Sequence, residues 1–235
     1  MICATMIDAL RKDLKKLENK KKAVVYARFF KTGKGQYGEG DLFLGLTVPQ
    51  SRKIAIKYEE LSYPDIETLL KSPYHEERLI ALLILVYRFE KKELEQRRVY
   101  DFYLRHAKLV NNWDLVDLSS DKIVGGYLID KPRDVLYKLA NSKNLWERRI
   151  AMIACYNFIK NKEFEEGLRV AEILINDEAD LIQKAVGWML REIGKRDEKT
   201  LKTFLNSHAP TMPRTSLRYA IERFPRGVRS KYLQA

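Results

Sequence analysis

Two patterns in the chain bring an acid, aromatic rings and cations within helical reach of one another. In Val110-Asn-Asn-Trp-Asp-Leu-Val-Asp-Leu-Ser-Ser-Asp, Trp113 and Asp117 lie four residues apart and share one helix face. Asp114 and Asp121 flank them, while Leu115, Val116 and Ile123 supply a core side. The second pattern is a stripe at helical spacing: Lys184, Trp188, Arg191 and Lys195. An upstream segment carries a related stripe of Arg149, Ile153, Tyr156 and Lys160. Cations track phosphates, and aromatic rings meet sugar or base surfaces. A carboxylate on such a surface repels phosphate. Asp117 is therefore either tied to an arginine such as Arg149 or kept for chemistry, where a fixed negative charge stabilises positive charge emerging on a substrate. Asp114 reads equally well as a first-turn residue favoured by the helix dipole.

These side chains must be carried by helices. Leu181, Ile182, Ala185, Val186, Met189, Leu190 and Ile193 form one apolar stripe, and Ile150, Ala151, Ala154, Cys155 and Phe158 form another. Breaks fall at Ser72-Pro73, Asp130-Lys131-Pro132, Asn176-Asp177 and Ala209-Pro210. No alternating segment is long enough for a confident strand. The run Glu76 to Glu93 lies over Trp146 to Glu163 at an offset of 70 residues, with Arg78 meeting Arg148 and Ala81 meeting Ala151. Half that offset lays Gln183 to Gly194 over Arg148 to Ile159 with the apolar stripe kept. A period near 35 with two helices per unit is the pattern of an α-solenoid, in which one helix of each pair lines a concave face. The expectation is all-α: a curved solenoid of HEAT-like antiparallel helix pairs in one domain over 1–235. It has a basic helix over 1–24, a glycine-rich loop over 31–45 and repeats over about 46–225. In this register Arg148 reads as a repeat-structural residue, whereas Arg149 replaces Leu79 and stands out.

Composition sets the partners. The 235 residues carry 44 Lys+Arg against 32 Asp+Glu, a net charge of +12, which favours a polyanionic partner. At 46% hydrophobic the chain can bury a real core, and 11 Gly with 7 Pro are too few for an all-β fold. Cys3 and Cys155 exclude a disulfide framework and fit a reducing compartment. His75, His106 and His208 lack metal-ligand spacing, so no metal and no cofactor is expected. The run Leu79 to Tyr87 is too short to span a membrane and the N-terminal segment lacks a signal peptide's apolar stretch, so a cytoplasmic location is expected. Gly33-Lys34-Gly35 does not match a nucleotide phosphate loop, although a glycine-rich loop can approach a phosphate backbone. Thr47 to Arg52 reads as a capped helix start with Pro49 in its first turn.

Phe43 to Arg52, Asn112 to Asp117, Leu145 to Ala151 and Gln183 to Glu192, in this order, resemble the AlkD-type DNA alkylation repair proteins. The resemblance spans about residues 25–224. It implies HEAT-like repeats holding alkylated duplex DNA in a groove, and hydrolytic excision of N3- and N7-alkylated purines by a monomeric enzyme. By resemblance, Asp117 matches the catalytic carboxylate, and Trp113 and Trp188 match the flanking aromatic pair. Arg149 matches the arginine of that cleft and Arg191 a cationic groove residue. The glycine-rich insert between Phe30 and Phe43 is longer than in the simplest members, which leaves the N-terminal aromatic open, with Tyr37 as candidate. Lys184, Lys195 and Arg148 complete the expected DNA contacts. Two other classes fit a basic helical repeat: a non-catalytic protein binding distorted or branched duplex, and a protein-binding scaffold. Retention of both Trp113 and Asp117 favours the enzyme.

Overall fold

The computed structural model describes residues 5–234, which are all-α apart from a single bridge pairing Leu42 with Tyr74. The chain divides into two compact units. The first, Met1–Ser119, holds α1 (Met6–Leu17), α2 (Lys20–Phe29), α3 (Val48–Lys57), α4 (Tyr63–Leu70), α5 (His75–Lys91), α6 (Gln96–Arg105) and α7 (Trp113–Asp117). The second, Ser120–Ala235, opens with a π-helical turn at Asp121–Gly125. It continues with α8 (Asp134–Ala140), α9 (Leu145–Lys160), α10 (Glu165–Leu174), α11 (Asp180–Gly194), α12 (Glu198–His208), α13 (Arg214–Ala220) and α14 (Arg226–Gln234). Cys3 lies outside the described residues.

The four expected breaks all fall between helices. The basic segment expected as one helix over 1–24 is instead two. α1 ends at Leu17, and Asn19 starts α2 by accepting the Lys22 amide on its side chain. Thr47 starts α3 as expected. Its amide and hydroxyl both donate to the Gln50 side chain, and Pro49 lies in the first turn, where its missing N–H costs nothing.

In the first unit α5 is the central element, packed by α3, α4, α6 and α7. Its residues from His75 to Val86 are all buried. In the second unit α9 and α11 play that part: α8, α10, α11 and the π-turn pack on α9, while α10, α12 and α13 pack on α11. The stripe Ile150, Ala151, Ala154, Cys155 and Phe158 is fully buried, as are Ala185, Val186, Met189, Leu190 and Ile193. Glycines permit two of these approaches. A Cβ at Gly187 would lie 2.4 Å from the Ser216 carbonyl oxygen, and one at Gly125 would lie 2.2 Å from that of Ala154. The Cys155 thiol donates to the Ala151 carbonyl, and burial pushes its pKa well above the usual thiol range.

The helix starts spaced by 70 and 35 residues share one hydrogen-bonding pattern. Before α5 the Tyr74 amide donates to Ser72 Oγ, and Arg78 donates to the Ser72 carbonyl at 2.8 Å. Before α9 the Asn144 amide donates to Ser142 Oγ, and Arg148 donates to the Ser142 carbonyl at 3.0 Å. Before α11 the Ala179 amide donates to Asp177 Oδ1, and Gln183 donates to the Asp177 carbonyl. In each case a side-chain oxygen takes the first orphan amide, and a long donor one turn into the helix ties the preceding carbonyl.

The loop before α3 is fixed by one buried carboxylate. Glu76 accepts the amides of Gly45 at 2.8 Å, Leu44 at 2.9 Å and Leu46 at 3.2 Å. Gly45 has φ +85°, and a Cβ there would lie 2.2 Å from the Asn19 carbonyl oxygen, so both conformation and space demand glycine. Replacing Glu76 by Gln turns one acceptor into a donor facing buried N–H groups. Urea denaturation of E76Q is expected to show a loss of about 2–3 kcal/mol. Arg11→Ala, which breaks the half-exposed Arg11–Glu77 pair at 3.0 Å, is expected to cost no more than about 1 kcal/mol. Equal costs would contradict this reading of the loop.

Candidate functional site

The helix that bears Trp113 and Asp117 is five residues long, too short to persist without tertiary support. It is clamped at both ends within its own unit. At the start, fully buried Asn112 accepts the Trp113 amide on Oδ1 at 2.8 Å and donates from Nδ2 to Asp41 at 3.2 Å. One residue on, Asp114 accepts from the Leu115 amide and lies 2.8 Å from His75 Nε2. At the far end the Ser119 hydroxyl donates to the Leu115 carbonyl and lies 2.9 Å from the Tyr103 hydroxyl. Leu115 and Val116 are completely buried beneath. Trp113 and Asp117 thus leave a fixed, one-turn scaffold on the same face.

Trp113 is the edge of an aromatic stack. It lies nearly parallel to Phe30 at 5.2 Å and edge-on to Phe29 at 5.9 Å. Phe30 stacks in turn on Phe43 at 5.1 Å, and both rings lie 4.8 Å from His75. Phe29 is 61% exposed beside the half-buried Trp113, so the stack opens to solvent at that pair. A flat cationic ring meeting this edge would find indole and phenyl surfaces that attract it. Tyr37 is half-buried; its hydroxyl donates to the Phe29 carbonyl at 3.4 Å and its ring lies 5.9 Å from Lys31 Nζ. The aromatic rings in contact with Trp113 are thus Phe29 and Phe30, neither of which the sequence singled out. The glycine-rich loop keeps its own amides engaged. Gly33 N–H donates to Gln36 Oε1 and Gly35 N–H to Glu39 Oε2, so in this conformation neither amide is presented to a phosphate.

The second unit holds the remaining expected residues. α11 carries Lys184, Trp188 and Arg191, and Lys195 caps its end. Trp188 is half-buried, with its ring 6.2 Å from Tyr156 of α9. Lys160 Nζ lies 4.9 Å and the Arg196 guanidinium 5.8 Å from the Tyr156 ring, which makes a cation-rich aromatic surface on the α9–α11 pair. Arg191 is ion-paired with Glu222. Lys184 pairs with Asp180 at 2.6 Å, and Lys195 with Glu192 at 2.5 Å. Arg149 is buried and donates to the Leu181 carbonyl of α11. Arg148 spends its guanidinium on Asp177 at 2.6 Å and on the Ser142 and Lys143 carbonyls, the role Arg78 plays at its own helix start. Asp121 belongs to the π-turn and accepts from Lys160.

One further cluster supports the stack. His75 bridges Asp114 at 2.8 Å and Asp41 at 3.4 Å, and Arg78 meets the same Asp41 oxygen at 2.6 Å. Burial opposes the imidazolium charge, but the Asp114 and Asp41 carboxylates outweigh it and the pull of nearby Arg78, raising the His75 pKa to about 9. Burial likewise works against the Asp41 carboxylate, yet His75, Arg78 and Asn112 bring its pKa below the usual range. The folded state therefore holds a charged histidine that the unfolded chain releases near its ordinary value.

The family model described as DNA alkylation repair enzyme matches residues 10–224, and the chain belongs to that family. Among solved structures, it is similar to a predicted DNA alkylation repair enzyme from Enterococcus faecalis. That match has a TM-score of 0.71 at 15% identity and covers 89% of this chain and 97% of the other. A protein from Streptococcus mutans UA159 matches with TM-score 0.55 at 18% identity, covering 94% and 98%. At these identities the two structures speak for the fold alone. No curated protein matches. Among the described residues no helix is long and apolar enough to cross a membrane.

Because the His75 pKa is raised on folding, its contribution is complete below about pH 6.5 and is lost as pH rises through about 9. Thermal melting of the wild type is expected to shift downward across that window. The His75→Gln protein should start lower and stay flat across it. A wild-type Tm that does not change over this range would show that the imidazolium is not held as described.

Proposed function

We propose that the protein is a DNA glycosylase that hydrolyses the N-glycosidic bond of N3- and N7-alkylated purines in duplex DNA, with Asp117 as the catalytic carboxylate. Membership of the DNA alkylation repair enzyme family and the net charge of +12 support DNA as the partner. The observation that carries the assignment is the clamped α7, which sets an acid one turn from an indole whose neighbouring ring is open to solvent.

An alkyl group on purine N3 or N7 leaves the base positively charged, so it departs as a neutral molecule once the C1′–N bond breaks. The electron pair of that bond goes to the base, and positive charge grows on the deoxyribose. Asp117 stabilises that oxocarbenium-like state and orients the water that adds to C1′, whose released proton passes to the carboxylate or solvent. Because the leaving group needs little protonation, no histidine is required as general acid. Trp113, with Phe29 beside it at the open edge, meets the cationic base through cation–π contacts, and Trp188 is the aromatic that the second unit offers. Arg191, Lys184 and Lys195 take the phosphates, whereas Arg149, expected among the DNA contacts, is buried against the Leu181 carbonyl and serves to position α9 against α11. Arg148 keeps to the helix start it shares in form with Arg78.

The decisive measurement is release of 7-methylguanine from methylated duplex by wild type and Asp117→Asn. The variant is expected to lose about 10²-fold or more in rate while binding duplex at least as well, since it removes a negative charge from a surface that meets phosphates. An unchanged rate would dismiss Asp117 as catalyst. Absence of release by the wild type, with salt-sensitive duplex binding retained, would favour the non-catalytic DNA-binding class. Weak duplex affinity would favour a protein scaffold.

A further inference from the structure

The C-terminal stretch is strongly one-sided in charge. Residues 214–234 hold Arg214, Arg218, Arg223, Arg226, Arg229 and Lys231 against one acid, Glu222. That acid is already engaged by Arg191. Arg214 donates to the Leu233 carbonyl at the end of α14. The side chains of Arg218, Arg223, Arg226, Arg229 and Lys231 enter no ion pair among the described residues, although most cations of α9 and α11 do.

α14 itself contains no buried residue, so it adds little to the core. It is nevertheless seated. Val228 and Tyr232 line a cavity of about 560 Å³ together with Leu205, Ala209 and Pro210. The Tyr232 hydroxyl donates to Asn206 at 3.1 Å, and its ring lies 6.0 Å from that of Phe224. Arg223 and Arg226 are exposed, and Arg229, one turn on from Arg226, is half-buried. The helix therefore acts as a bracket that holds cations outward. The patch continues from the candidate surface of the same unit: α13 packs against α11 at Gly187, and Glu222 joins it to Arg191. It also lies mostly past residue 224, where the family match ends.

We infer that Arg223, Arg226 and Arg229, presented by α14 and the turn before it, form an accessory surface that binds the phosphate backbone of duplex DNA flanking the lesion. The inference rests on DNA being the partner, but not on Asp117 being a catalyst. Charge complementarity commits it to a nucleic-acid backbone, since regularly spaced phosphates are what several unpaired guanidinium groups on one face can neutralise together.

The test is binding of full-length protein to an unmethylated duplex of about 25 base pairs, followed by anisotropy across about 50–200 mM KCl. Each phosphate neutralised adds ~0.9 to the log–log salt slope. The R223Q/R226Q/R229Q protein is expected to show a slope shallower by about 2 to 3, so that the wild type loses roughly 40-fold more affinity over this range. The R223K/R226K/R229K protein, with its charges kept, should retain the wild-type slope. If the triple glutamine protein melts early, R226Q/R229Q replaces it with an expected change of about 2. Equal slopes overturn the inference. So would intact DNA binding with lost binding to phosphatidylglycerol vesicles, which would assign the patch to a lipid surface. Because the probe is unmethylated, a slope difference in a protein that releases no base would sink the glycosylase reading and leave this one standing.

Discussion

At the start of α5 the chain buries His75, Glu76, Glu77 and Arg78 in succession, each less than a tenth exposed. Uncompensated, such burial would be prohibitive. Each group is met by a partner from elsewhere in the first unit: Asp41 and Asp114 for His75, three loop amides for Glu76, Arg11 for Glu77, and Asp41 with the Ser72 carbonyl for Arg78. The helix end thus gathers α1, the glycine-rich segment and α7 into one arrangement. The direction of Trp113 and Asp117 depends on that gathering, because α7 is too short to define its own position.

The second unit reaches a similar end by different means. Its candidate cations are mostly paired within their own helix or with the next one, and Tyr156 and Trp188 fill the space between them. Such pairs give little stability at the surface. They do fix where the guanidinium and ammonium groups stand before any polyanion arrives, which reduces the ordering that binding would otherwise require.

The helical stripes were legible because burial on one helix face writes itself as a local period. Ile150 to Phe158 and Ala185 to Ile193 are buried as their spacing requires, and Thr47 announced α3 by its own chemistry. The 70-residue register even carried atomic content, since Arg78 and Arg148 perform the same task. The supporting cluster was not legible. His75 meets Asp41 and Asp114 across 34 and 39 residues, and pairwise spacing says nothing about contacts closed by tertiary folding. α2 was merged into the preceding helix because it has no buried residue, so its polarity hid the break at Asn19. Phe29 escaped for the same reason: an exposed ring on a polar helix carries no periodic mark, and its meaning comes from Trp113 beside it.

The alkylating agents whose damage the family is named for repairing also attack soft nucleophiles such as thiolates. Such reagents attack the thiolate rather than the thiol, and they must first reach it. Cys155 is withheld on both counts, enclosed in α9 with its proton held by burial and by the Ala151 carbonyl. The core at that point is chemically inert toward the damage whose products the family is named for repairing.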